Sequence, residues 1–552
     1  MSEIATDAAA DQPTSIWRLF GTGLTTLLLI AAAGGITFIW GFWDPVWGRG
    51  AQVILTYALV VLSLLVLLLW FAIFSTFRWT TIAAAFLLLI VSAAAVAGSV
   101  REVEFSGDME MILHYRWTPT QDQLVEQHRE AQGTTDGEEV QTWEVAAMTD
   151  EDAPAYRGFD RDGVIIGPPL RTDWEATPPT QLWRQPCGGG YSSYSVVGDF
   201  LVTLEQRGDH EAIICYDAST GQERWVHEYP AYFSEPLGGW GPRATPTIDG
   251  DAVFSFGAMG DAVAVELSTG NVLWSRDLLS ESRNPVTWGM CGSPLVIGEQ
   301  VIFIAGGPEG DGLVSLNRET GDVIWQRPGV DLLNAPETNN RAGYSSPQLA
   351  TIDGIEQILI FDGEGLRSHD ITTGDQLWFH PFENDAGVSV AQPVVFDDGR
   401  IFLAMSYGVG CAMIQVPHDG DAWSQPEVLW SNKNMKCKFT SPVLYDGYLY
   451  GLDEGILVCL DPETGDRMWK GGKEGLRGRF YHGQILLTND LIVAFTEKGD
   501  LVLVRPNPES YEELGHLPVF NTKKVWNPLA LSHGHVFVRS HEEMAAFDLT
   551  AE

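Results

Sequence analysis

The first 432 residues of this chain contain no lysine, and all eight lysines fall between Lys433 and Lys524. Basic residues are scarce throughout, since 33 Lys and Arg stand against 73 Asp and Glu, which gives a formal net charge of −40. Nearly all of this charge lies beyond residue 100. A surface this acidic argues against a nucleic-acid partner and against a broad patch that binds anionic lipid. It favours solubility of the part of the chain that carries it.

Cysteine is also scarce, and its spacing excludes two kinds of metal site. No two of the six cysteines form a CxxC or CxxCH motif, so neither a zinc knuckle nor a c-type haem is indicated, and no metal site is predicted. Cys215 and Cys459 lie in apolar runs and are predicted to be core residues. The even count permits disulfides without indicating any pair. The chain also lacks a nucleophile elbow and a glycine-rich phosphate loop, so no catalytic residue is named.

Charged residues are absent from three long apolar runs, which are Leu19–Trp40, Ala51–Phe77 and Trp79–Val100. Because about 20 apolar residues span a bilayer as a helix, these runs predict three transmembrane helices. A cleaved signal peptide is not indicated, because the first 15 residues carry three acidic residues and no basic one. The arginines that flank the runs are divided equally between the two sides, so charge alone does not set the orientation.

One phrase recurs along the rest of the chain. Its first copy reads Asp217-Ala-Ser-Thr-Gly-Gln-Glu-Arg-Trp225, and four further copies with the same internal spacing end at Trp274, Trp325, Trp378 and Trp469. A polar residue followed by Thr-Gly between two apolar runs is typical of a hairpin, because glycine adopts a positive φ without steric cost. Units of about 40 to 50 residues predict a β-propeller, in which the phrase spans the third strand, the turn and the outer strand of a blade.

This phrase resembles the repeat of the pyrroloquinoline quinone (PQQ)-like, or quinoprotein-type, β-propellers over about Trp174 to Leu549. That family holds quinoprotein alcohol dehydrogenases and the non-enzymatic BamB-like propellers of outer-membrane assembly, so the resemblance implies a fold and not an activity. Membrane helices also precede a quinoprotein propeller in membrane-bound glucose dehydrogenase. Segments similar to Tyr156–Gly163 precede such propellers in many bacterial proteins, notably from planctomycetes. The chain therefore resembles a membrane-anchored bacterial member of this family.

Outer strands recur eight times, and seven of them carry a Trp that is expected to pack between blades. These are Trp183, Trp225, Trp274, Trp325, Trp378, Trp430 and Trp469, while the eighth outer strand, placed around Val519-Phe520, lacks the Trp. Trp183 precedes every inner strand, and the last inner set has no outer strand after it. The sequence therefore predicts an all-β ring of eight four-stranded antiparallel blades, closed by pairing of Thr180–Gln185 with the last blade.

Three regions are predicted along the chain. The membrane anchor occupies residues 1–100, a juxtamembrane region 101–173, and the propeller 174–552. Within the middle region, a strand is expected over Glu110–Trp117 and a helix over Gln121–Gln132. The acidic stretch Gly133–Asp152 has few apolar residues, which predicts a flexible tether. The remainder is expected to be an ordered lead-in that packs on the lower side of the propeller.

The links from each outer strand to the next inner strand are expected to reach the mouth of the central channel. Small residues before proline recur at their ends, as in Gly292-Ser-Pro and Ser345-Ser-Pro, where strands crowd near the axis. Four lysines, several arginines and several aromatic residues share these links, a combination that suits a flat anionic ligand. The predicted ligand-binding residues are Arg243, Trp288, Arg341, Lys436, Lys438, Arg477, Arg479 and Lys523. The alternative, that these cations only pair with nearby carboxylates and hold loops, stays open.

Two functions are therefore carried forward. The first is a binding or scaffold module whose mouth takes an anionic ligand or a protein partner. The second, which the resemblance implies, is a PQQ-dependent alcohol or sugar dehydrogenase that uses Ca²⁺ and passes electrons to membrane quinone. Against it, the vicinal Cys-Cys of many such enzymes is absent, and the links hold few carboxylates for Ca²⁺, which takes about six to eight oxygens. The resemblance also implies a bacterial inner-membrane location with the propeller on the periplasmic side.

Overall fold

The computed structural model describes residues 13–43, 49–133, 142–279, 285–305, 312–327, 343–420, 422–472 and 477–551. The chain divides into two compact units, Met1–Thr118 and Pro119–Glu552. The first unit contains three long helices and one small hairpin. The second contains the propeller together with the segments that lead into it.

The N-terminal unit has the three long apolar helices that the sequence predicts. They are α1 (Pro13–Gly41), α2 (Arg49–Phe74) and α3 (Trp79–Ser99). Each is long and apolar enough to cross a bilayer, and at most 6% of its apolar window is buried within the protein. Apolar side chains exposed on nearly every side are typical of a helix whose surroundings are not water.

Polar contacts join the ends of these helices to the hairpin that follows α3. The two strands of the hairpin are Val100–Phe105 and Met111–Tyr115. Arg49 at the start of α2 pairs with Asp108 in the hairpin turn at 3.1 Å. Gln52 donates hydrogen bonds to the carbonyls of Ile39 and Trp43 at 2.9 and 2.8 Å. The end of α1, the start of α2 and the hairpin turn therefore lie at one end of this unit.

The second unit is a ring of eight four-stranded antiparallel blades, in which each blade runs from an inner to an outer strand. The strands of blades 1 to 4 are Ser195–Val197, Phe200–Arg207, His210–Asp217, Glu223–Pro230; Thr247–Asp249, Ala252–Phe256, Asp261–Glu266, Val272–Asp277; Leu295–Ile297, Gln300–Ile304, Leu313–Asn317, Val323–Arg327; and Gln348–Ile352, Ile355–Phe361, Gly365–Asp370, Gln376–Pro381. Those of blades 5 to 8 are Val394–Val395, Arg400–Met405, Gly410–Gln415, Glu427–Asn432; Val443–Tyr445, Tyr448–Asp453, Ile456–Leu460, Arg467–Lys470; Gln484–Thr488, Leu491–Phe495, Asp500–Arg505, Glu512–Pro518; and Ala530–Ser532, His535–Arg539, Glu543–Asp548, Thr180–Pro186.

Blade 8 closes the ring by joining the two ends of the propeller. Thr180–Pro186 pairs antiparallel with Glu543–Asp548, and Trp183 stands opposite Ala546. This pairing confirms the closure that the sequence predicts. Because every blade then has a neighbour on both sides, no terminal blade is left with an exposed face.

The recurring phrase forms a turn and also joins each blade to the next. In its first copy the Asp217 carboxylate accepts a hydrogen bond from the Thr220 backbone N–H at 3.0 Å. Gly221 follows with a φ of 73°. The Trp225 indole N–H then donates to the Leu267 carbonyl of blade 2 at 2.8 Å. The outer strand is thereby fixed to the turn of the neighbouring blade.

The glycine of the phrase lies against the Trp of the preceding blade. A Cβ placed on Gly270 would lie 2.7 Å from the ring of Trp225, and one on Gly321 would lie 2.7 Å from the ring of Trp274. Equivalent approaches of 2.4 to 2.8 Å occur for Gly221 to Trp183, Gly374 to Trp325 and Gly465 to Trp430. Glycine is therefore needed both for its positive φ and for this close approach.

Blade 7 lacks the Trp, and Trp174, the residue that follows the lead-in, supplies one. Its outer strand is Glu512–Pro518, so the position around Val519-Phe520 that the sequence suggested is wrong. Gly515 stands at the Trp position, beside the same irregularity in register that precedes the Trp of other blades. A Cβ on Gly515 would lie 2.4 Å from the ring of Trp174, which is 5% exposed. Without a Trp to mark the strand, the pattern could not locate it.

Helix α4 (Gln121–Gln132) has the bounds that the sequence predicts and lies against blade 8. Thr120 and Gln123 form a capping box at its start, which accounts for the clear N-terminal boundary. The His128 ring lies 3.1 Å from the Gln185 side chain, and Gln121 donates to the Cys187 carbonyl at 2.6 Å. The helix is therefore fixed to the closing strand and to the link that follows it.

The predicted tether over 133–152 is corrected for its second half. Residues 134–141 lie outside the described residues, whereas Trp143, Val145 and Met148 are partly buried against the core of blades 1 and 2. The Trp143 backbone N–H also donates to the Ser268 carbonyl at 3.1 Å. The acidic composition of the stretch predicted a tether. The packing of these three apolar residues could not be predicted, because the blade residues they contact are distant in the sequence.

The lead-in enters the channel from the end opposite the links, and its two arginines reach the residues where the links join the inner strands. Its Val164–Ile165 pairs in parallel with the inner strand of blade 7. Arg157 donates to the Pro442 carbonyl of blade 6 at 2.9 Å, and Arg161 donates to the Ser293 carbonyl of blade 3 at 3.0 Å. Because inner strands surround the axis, a segment that reaches blades 3, 6 and 7 occupies the channel. Both arginines are buried, and burial lowers the pKa of Arg161 to about 10.

Candidate functional site

The links meet at the upper end of the channel, and this end, the mouth, is the candidate site. Where the links enter the inner strands, small polar residues form a belt of hydrogen bonds around the axis. The Ser193 N–H donates to the Thr245 hydroxyl at 3.1 Å, and the Thr245 N–H donates to the Ser293 hydroxyl at 2.9 Å. The belt continues at 2.9 Å per step from Ser293 to Ser346, Gln392 and Ser441. The small residues before proline therefore join neighbouring blades, besides fitting a crowded axis.

An aromatic layer lies at the mouth, built from side chains of four links and one turn. The ring centroids of Phe439 and Trp526 are 4.8 Å apart, and those of Trp526 and Tyr191 are 5.2 Å apart in a stacked arrangement. His541 then meets Tyr191 at 4.2 Å and Trp240 at 5.4 Å. Phe439, Trp526 and Trp240 are only half-buried, so flat apolar surface remains open to a ligand.

Lys524 holds a hairpin against this layer. The hairpin (Ser234–Trp240) belongs to the link between blades 1 and 2, and Lys524 Nζ donates to the carbonyls of Leu237 and Gly238, both at 3.0 Å. The same ammonium lies 4.6 Å from the Trp526 ring centroid. Lys524 is 3% exposed, so its charge stabilises the hairpin and the aromatic layer.

Two of the predicted ligand-binding cations are engaged within the protein. The Arg243 guanidinium donates to the Gly239 carbonyl at 3.0 Å and lies 4.4 Å from the Phe233 ring, with 7% of its side chain exposed. Lys436 pairs with the buried Asp453 carboxylate at 2.5 Å, which also receives cations from the outer strand of blade 6. The contacts of these two residues are of the kind that the alternative describes, in which the cations hold loops within the protein.

The other predicted cations differ in their exposure. Arg477 and Lys523 are exposed, in the links that enter blades 7 and 8. Lys438 and Arg479 are half-buried beside rings, with Lys438 Nζ 5.5 Å from Phe439 and the Arg479 guanidinium 5.8 Å from Tyr481. Arg341 lies outside the described residues. Positive charge at the mouth is therefore gathered on the side formed by blades 5 to 8.

Trp288 lies on another part of the upper face. Its ring centroid is 5.4 Å from that of Tyr344, and both belong to the core cluster of blades 2 and 3. The Cys291 thiol lies 3.2 Å from the Gly289 carbonyl, and burial raises the pKa of that thiol to about 12. Through Tyr344, Trp288 therefore contacts the link that enters blade 4.

Several residues of the mouth were missed by sequence reasoning. Phe439 and Tyr191 lie in the links that were singled out, so the rule that links reach the axis could have included them. His482 ends another link and lies 5.1 Å from Phe439. His541 occupies a turn between the second and third strands of blade 8, which reaches the same end of the ring as the links. No residue pattern in the sequence marks that turn.

The described residues do not fit a Ca²⁺–PQQ pair at the mouth. Among them, no three His, Cys, Asp or Glu side chains come together to hold a metal ion. Glu497 accepts a hydrogen bond from the Trp526 indole at 2.8 Å, and Glu235 accepts one from the Leu237 N–H at 2.7 Å. Because Ca²⁺ takes about six to eight oxygen ligands, two carboxylates that already accept protein hydrogen bonds are a poor donor set.

These features define an eight-bladed repeat β-propeller whose mouth presents aromatic and basic side chains. A family model described as outer membrane protein assembly factor BamB matches residues 135–328 and, in an overlapping match, residues 211–471. The two matches together cover more than half of the chain. The chain therefore belongs to this PQQ-like β-propeller family.

Individual relatives are similar over part of the chain. The outer membrane protein assembly factor BamB of Burkholderia pseudomallei is 26% identical over 285 residues, which are 49% of this chain and 66% of that protein, just under two thirds of its length. The BamB of Yersinia pestis is 24% identical over 349 residues, covering 55% of this chain and 84% of the relative. The crystal structure of BamB from Moraxella catarrhalis matches with a TM-score of 0.49 and 14% identity, over 67% of this chain and 99% of that chain.

Proposed function

We propose that this chain is a membrane-anchored scaffold module whose mouth binds an acidic segment of a protein partner. The observation that carries the proposal is the meeting of open aromatic faces with exposed cations in the only lysine-bearing part of an acidic chain. An acidic segment would place carboxylates on the cations and apolar groups on the rings. The name of the family, an assembly factor, supports a partner-binding role.

The charges at the mouth support an anionic partner in particular. Among the described residues, Arg477 and Lys523 are exposed without a carboxylate within ion-pair distance. On the outer strand of blade 2, by contrast, the exposed Arg276 has such a partner, since its guanidinium lies 3.2 Å from Asp322. A cationic sector on a chain of net charge −40 attracts anions to one place and repels them from the rest of the surface.

The three apolar helices support a membrane anchor, and we place the protein in the bacterial inner membrane with the propeller on the periplasmic side. The helices are 21 to 29 residues long, which is enough to span the hydrocarbon core of a bilayer. The relatives are named for outer membrane assembly, so a propeller facing the periplasm would stand in the compartment between the two membranes. The anchor would keep the propeller attached to that membrane.

The PQQ-dependent dehydrogenase is the weaker proposal. At the mouth, Phe439, Trp526 and Trp240 would supply flat apolar surface to a quinone, which is the one feature that suits it. The described carboxylates do not suit the Ca²⁺ that would accompany it. If PQQ with Ca²⁺ leaves both the melting temperature and the Trp fluorescence of the full-length protein unchanged, this alternative is rejected.

The scaffold proposal is tested with a fluorescent octaglutamate peptide and the full-length protein in a neutral detergent. We expect saturable binding that weakens about tenfold or more in the variant Lys438→Gln/Arg477→Gln/Lys523→Gln. Three charge contacts at the protein surface, two from exposed residues and one from the half-buried Lys438, correspond to that factor at about 0.5–1 kcal/mol each. Fluorescence anisotropy at two salt concentrations measures the dissociation constant, which should rise with salt.

The control removes three cations away from the mouth instead, two on outer strands and one at the end of the third strand of blade 7, in Arg276→Gln/Arg327→Gln/Arg505→Gln. Both variants change the net charge by the same amount, so a nonspecific effect of charge would weaken both equally. Equal weakening, or no binding by the wild type, would contradict an anion-binding mouth. Loss confined to the first variant would support it.

A further inference from the structure

The two residues before the Trp position of each outer strand form a rim pair on the outside of the ring. In blades 2, 3 and 5 both members are apolar, and these pairs are Val272–Leu273, Val323–Ile324 and Val428–Leu429. Their side chains are 45 to 54% exposed. Isolated exposed apolar residues are normal, but two complete apolar pairs on the neighbouring blades 2 and 3 indicate an interaction surface.

On blade 1 the equivalent rim pair is polar and is covered by the chain itself. The Arg224 guanidinium lies 4.7 Å from the ring centroid of Trp143. The Glu223 carboxylate pairs with Arg129 of α4 at 3.3 Å. A rim pair of this ring can therefore be covered by an extended segment that lays a large aromatic side chain on the position next to the outer-strand Trp.

Within the described residues, the covering segment reaches the edge of the exposed apolar surface at Trp143. The Trp143 backbone N–H binds the Ser268 carbonyl, which lies in the turn of blade 2. The outer strand of blade 2, with Val272 and Leu273 at its start, follows that turn directly. A ligand on the rim of blade 2 would thus extend an interface that already exists on blade 1.

The residue that follows the lead-in provides a second case of the same arrangement. Trp174 lies against Gly515 on the outer strand of blade 7, where the Trp of the phrase is missing. On both blades 1 and 7, a Trp from a segment outside the blade completes the outer layer. Blades 2 and 3 have their own Trp, and on the described part of their rims the apolar pairs are exposed.

We propose that the rims of blades 2 and 3 dock an extended segment of a partner protein that carries a Trp or Phe flanked by apolar residues. Leu273 and Ile324 stand where Arg224 stands on blade 1, so an aromatic ring would pack on an aliphatic side chain in place of a guanidinium. The surface lies on the outside of the ring and does not depend on anion binding at the mouth.

The test is photocrosslinking in the full-length protein, made in cells that naturally produce it. With Leu273 replaced by p-benzoyl-phenylalanine, irradiation is expected to give one discrete adduct with another polypeptide. Mass spectrometry of the adduct should map the crosslink to a segment that holds an aromatic residue among apolar neighbours. Adding Ile324→Gln should reduce the yield at least fivefold, while the melting temperature of that variant stays within 1 or 2 °C of the wild type.

Met468 on blade 6 is the matched control site, because it is a 43% exposed apolar residue at the same repeat position beside the charged Arg467. The crosslinker at position 468 should give no adduct with that polypeptide. A crosslink from position 273 to a second copy of this chain, to lipid or to a segment without an aromatic residue would overturn the proposal. So would the absence of any adduct.

Discussion

At the scale of a residue, Glu211 makes the stability of the ring depend on pH. It is fully buried in the third strand of blade 1, where its carboxylate accepts hydrogen bonds from the Tyr229 hydroxyl at 3.0 Å and from the Ala258 N–H of blade 2 at 3.1 Å. Burial raises the pKa of Glu211 to about 7, although both hydrogen bonds act in the opposite direction. The carboxyl group therefore titrates near neutral pH at a contact between two blades.

The sign of this shift predicts that the ring loses stability as pH rises. Between about pH 4.5 and 7 the folded protein holds a proton on Glu211 that the unfolded chain releases. The contribution of protonated Glu211 to the stability of the fold is therefore complete below pH 4.5 and is lost as the pH rises to 7 and above. We expect the free energy of unfolding of Glu211→Gln, measured relative to that of the wild type, to rise by about 2–3 kcal/mol from pH 5 to pH 8. Each unit of pKa shift corresponds to about 1.4 kcal/mol. Urea unfolding of the full-length protein at several pH values measures the difference.

Glu228→Gln is the control for this prediction, because Glu228 is an exposed carboxylate on the adjacent outer strand. A plot of its free energy of unfolding against pH should run parallel to that of the wild type. Parallel curves for Glu211→Gln as well would show that Glu211 does not hold the proton. Nothing in the sequence marks Glu211, because its burial depends on blade 2 packing over it.

At the scale of an element, the contact between a turn glycine and the preceding Trp is the repeated unit that joins blades. Gly321 has a φ of 69° and faces the Trp274 ring, whereas Gly298 has a φ of 57° and open space around it. Both positions disfavour a side chain through φ, but only Gly321→Ala also forces a methyl group into an aromatic ring.

We therefore expect Gly321→Ala to destabilise the ring by about 1–3 kcal/mol more than Gly298→Ala. Thermal unfolding, with the Trp fluorescence as the signal, compares the two variants with the wild type. If the two alanine variants have the same melting temperature, the positive φ alone explains why glycine is needed at position 321, and the close approach to Trp274 contributes nothing.

The elements themselves were largely predictable from local pattern. Thr-Gly spacing located the turns, and the boundaries of α4 follow from its capping residues. The outer strand of blade 7 escaped, because its Trp position is Gly515 and the missing ring comes from Trp174. The docked segment around Trp143 escaped as well, because its apolar residues are few and meet their partners only after the ring has closed.

At the scale of the whole molecule, the lead-in ties together blades that are distant around the ring. Arg157 binds backbone carbonyls of blade 6, and Arg161 binds those of blade 3. These blades are three positions apart in the ring of eight. The two guanidinium groups therefore brace the ring from within, and the buried carbonyls they satisfy have no access to bulk water.

We predict that Arg161→Met destabilises the ring by about 2–5 kcal/mol, because two buried carbonyls lose a charged donor at a cost of about 1–3 kcal/mol each. Urea unfolding of the full-length protein measures the loss. Arg276→Met, which removes an exposed arginine paired with Asp322, should cost about 1 kcal/mol or less. Equal losses in the two variants would contradict the bracing role.

The mouth was predictable in outline and not in its contacts. Link position identified Lys438, Arg477, Arg479 and Lys523 as residues of the upper face, and the described structure leaves Arg477 and Lys523 exposed there. Lys436 and Arg243 lie in the same links but are held by Asp453 and by the Gly239 carbonyl. A link fixes which end of the ring a side chain reaches, while its neighbours decide whether the side chain stays free.

The sequence by itself determined the three apolar helices, the eight-fold repeat and the closure by Thr180–Pro186, because each depends on local spacing or on counting strands. Only the tertiary structure decided which cations remain available, that Trp174 completes blade 7, and that the lead-in fills the lower channel. These outcomes depend on contacts between residues tens to hundreds of positions apart. Such contacts leave no periodic trace in a single sequence, because each of them occurs once.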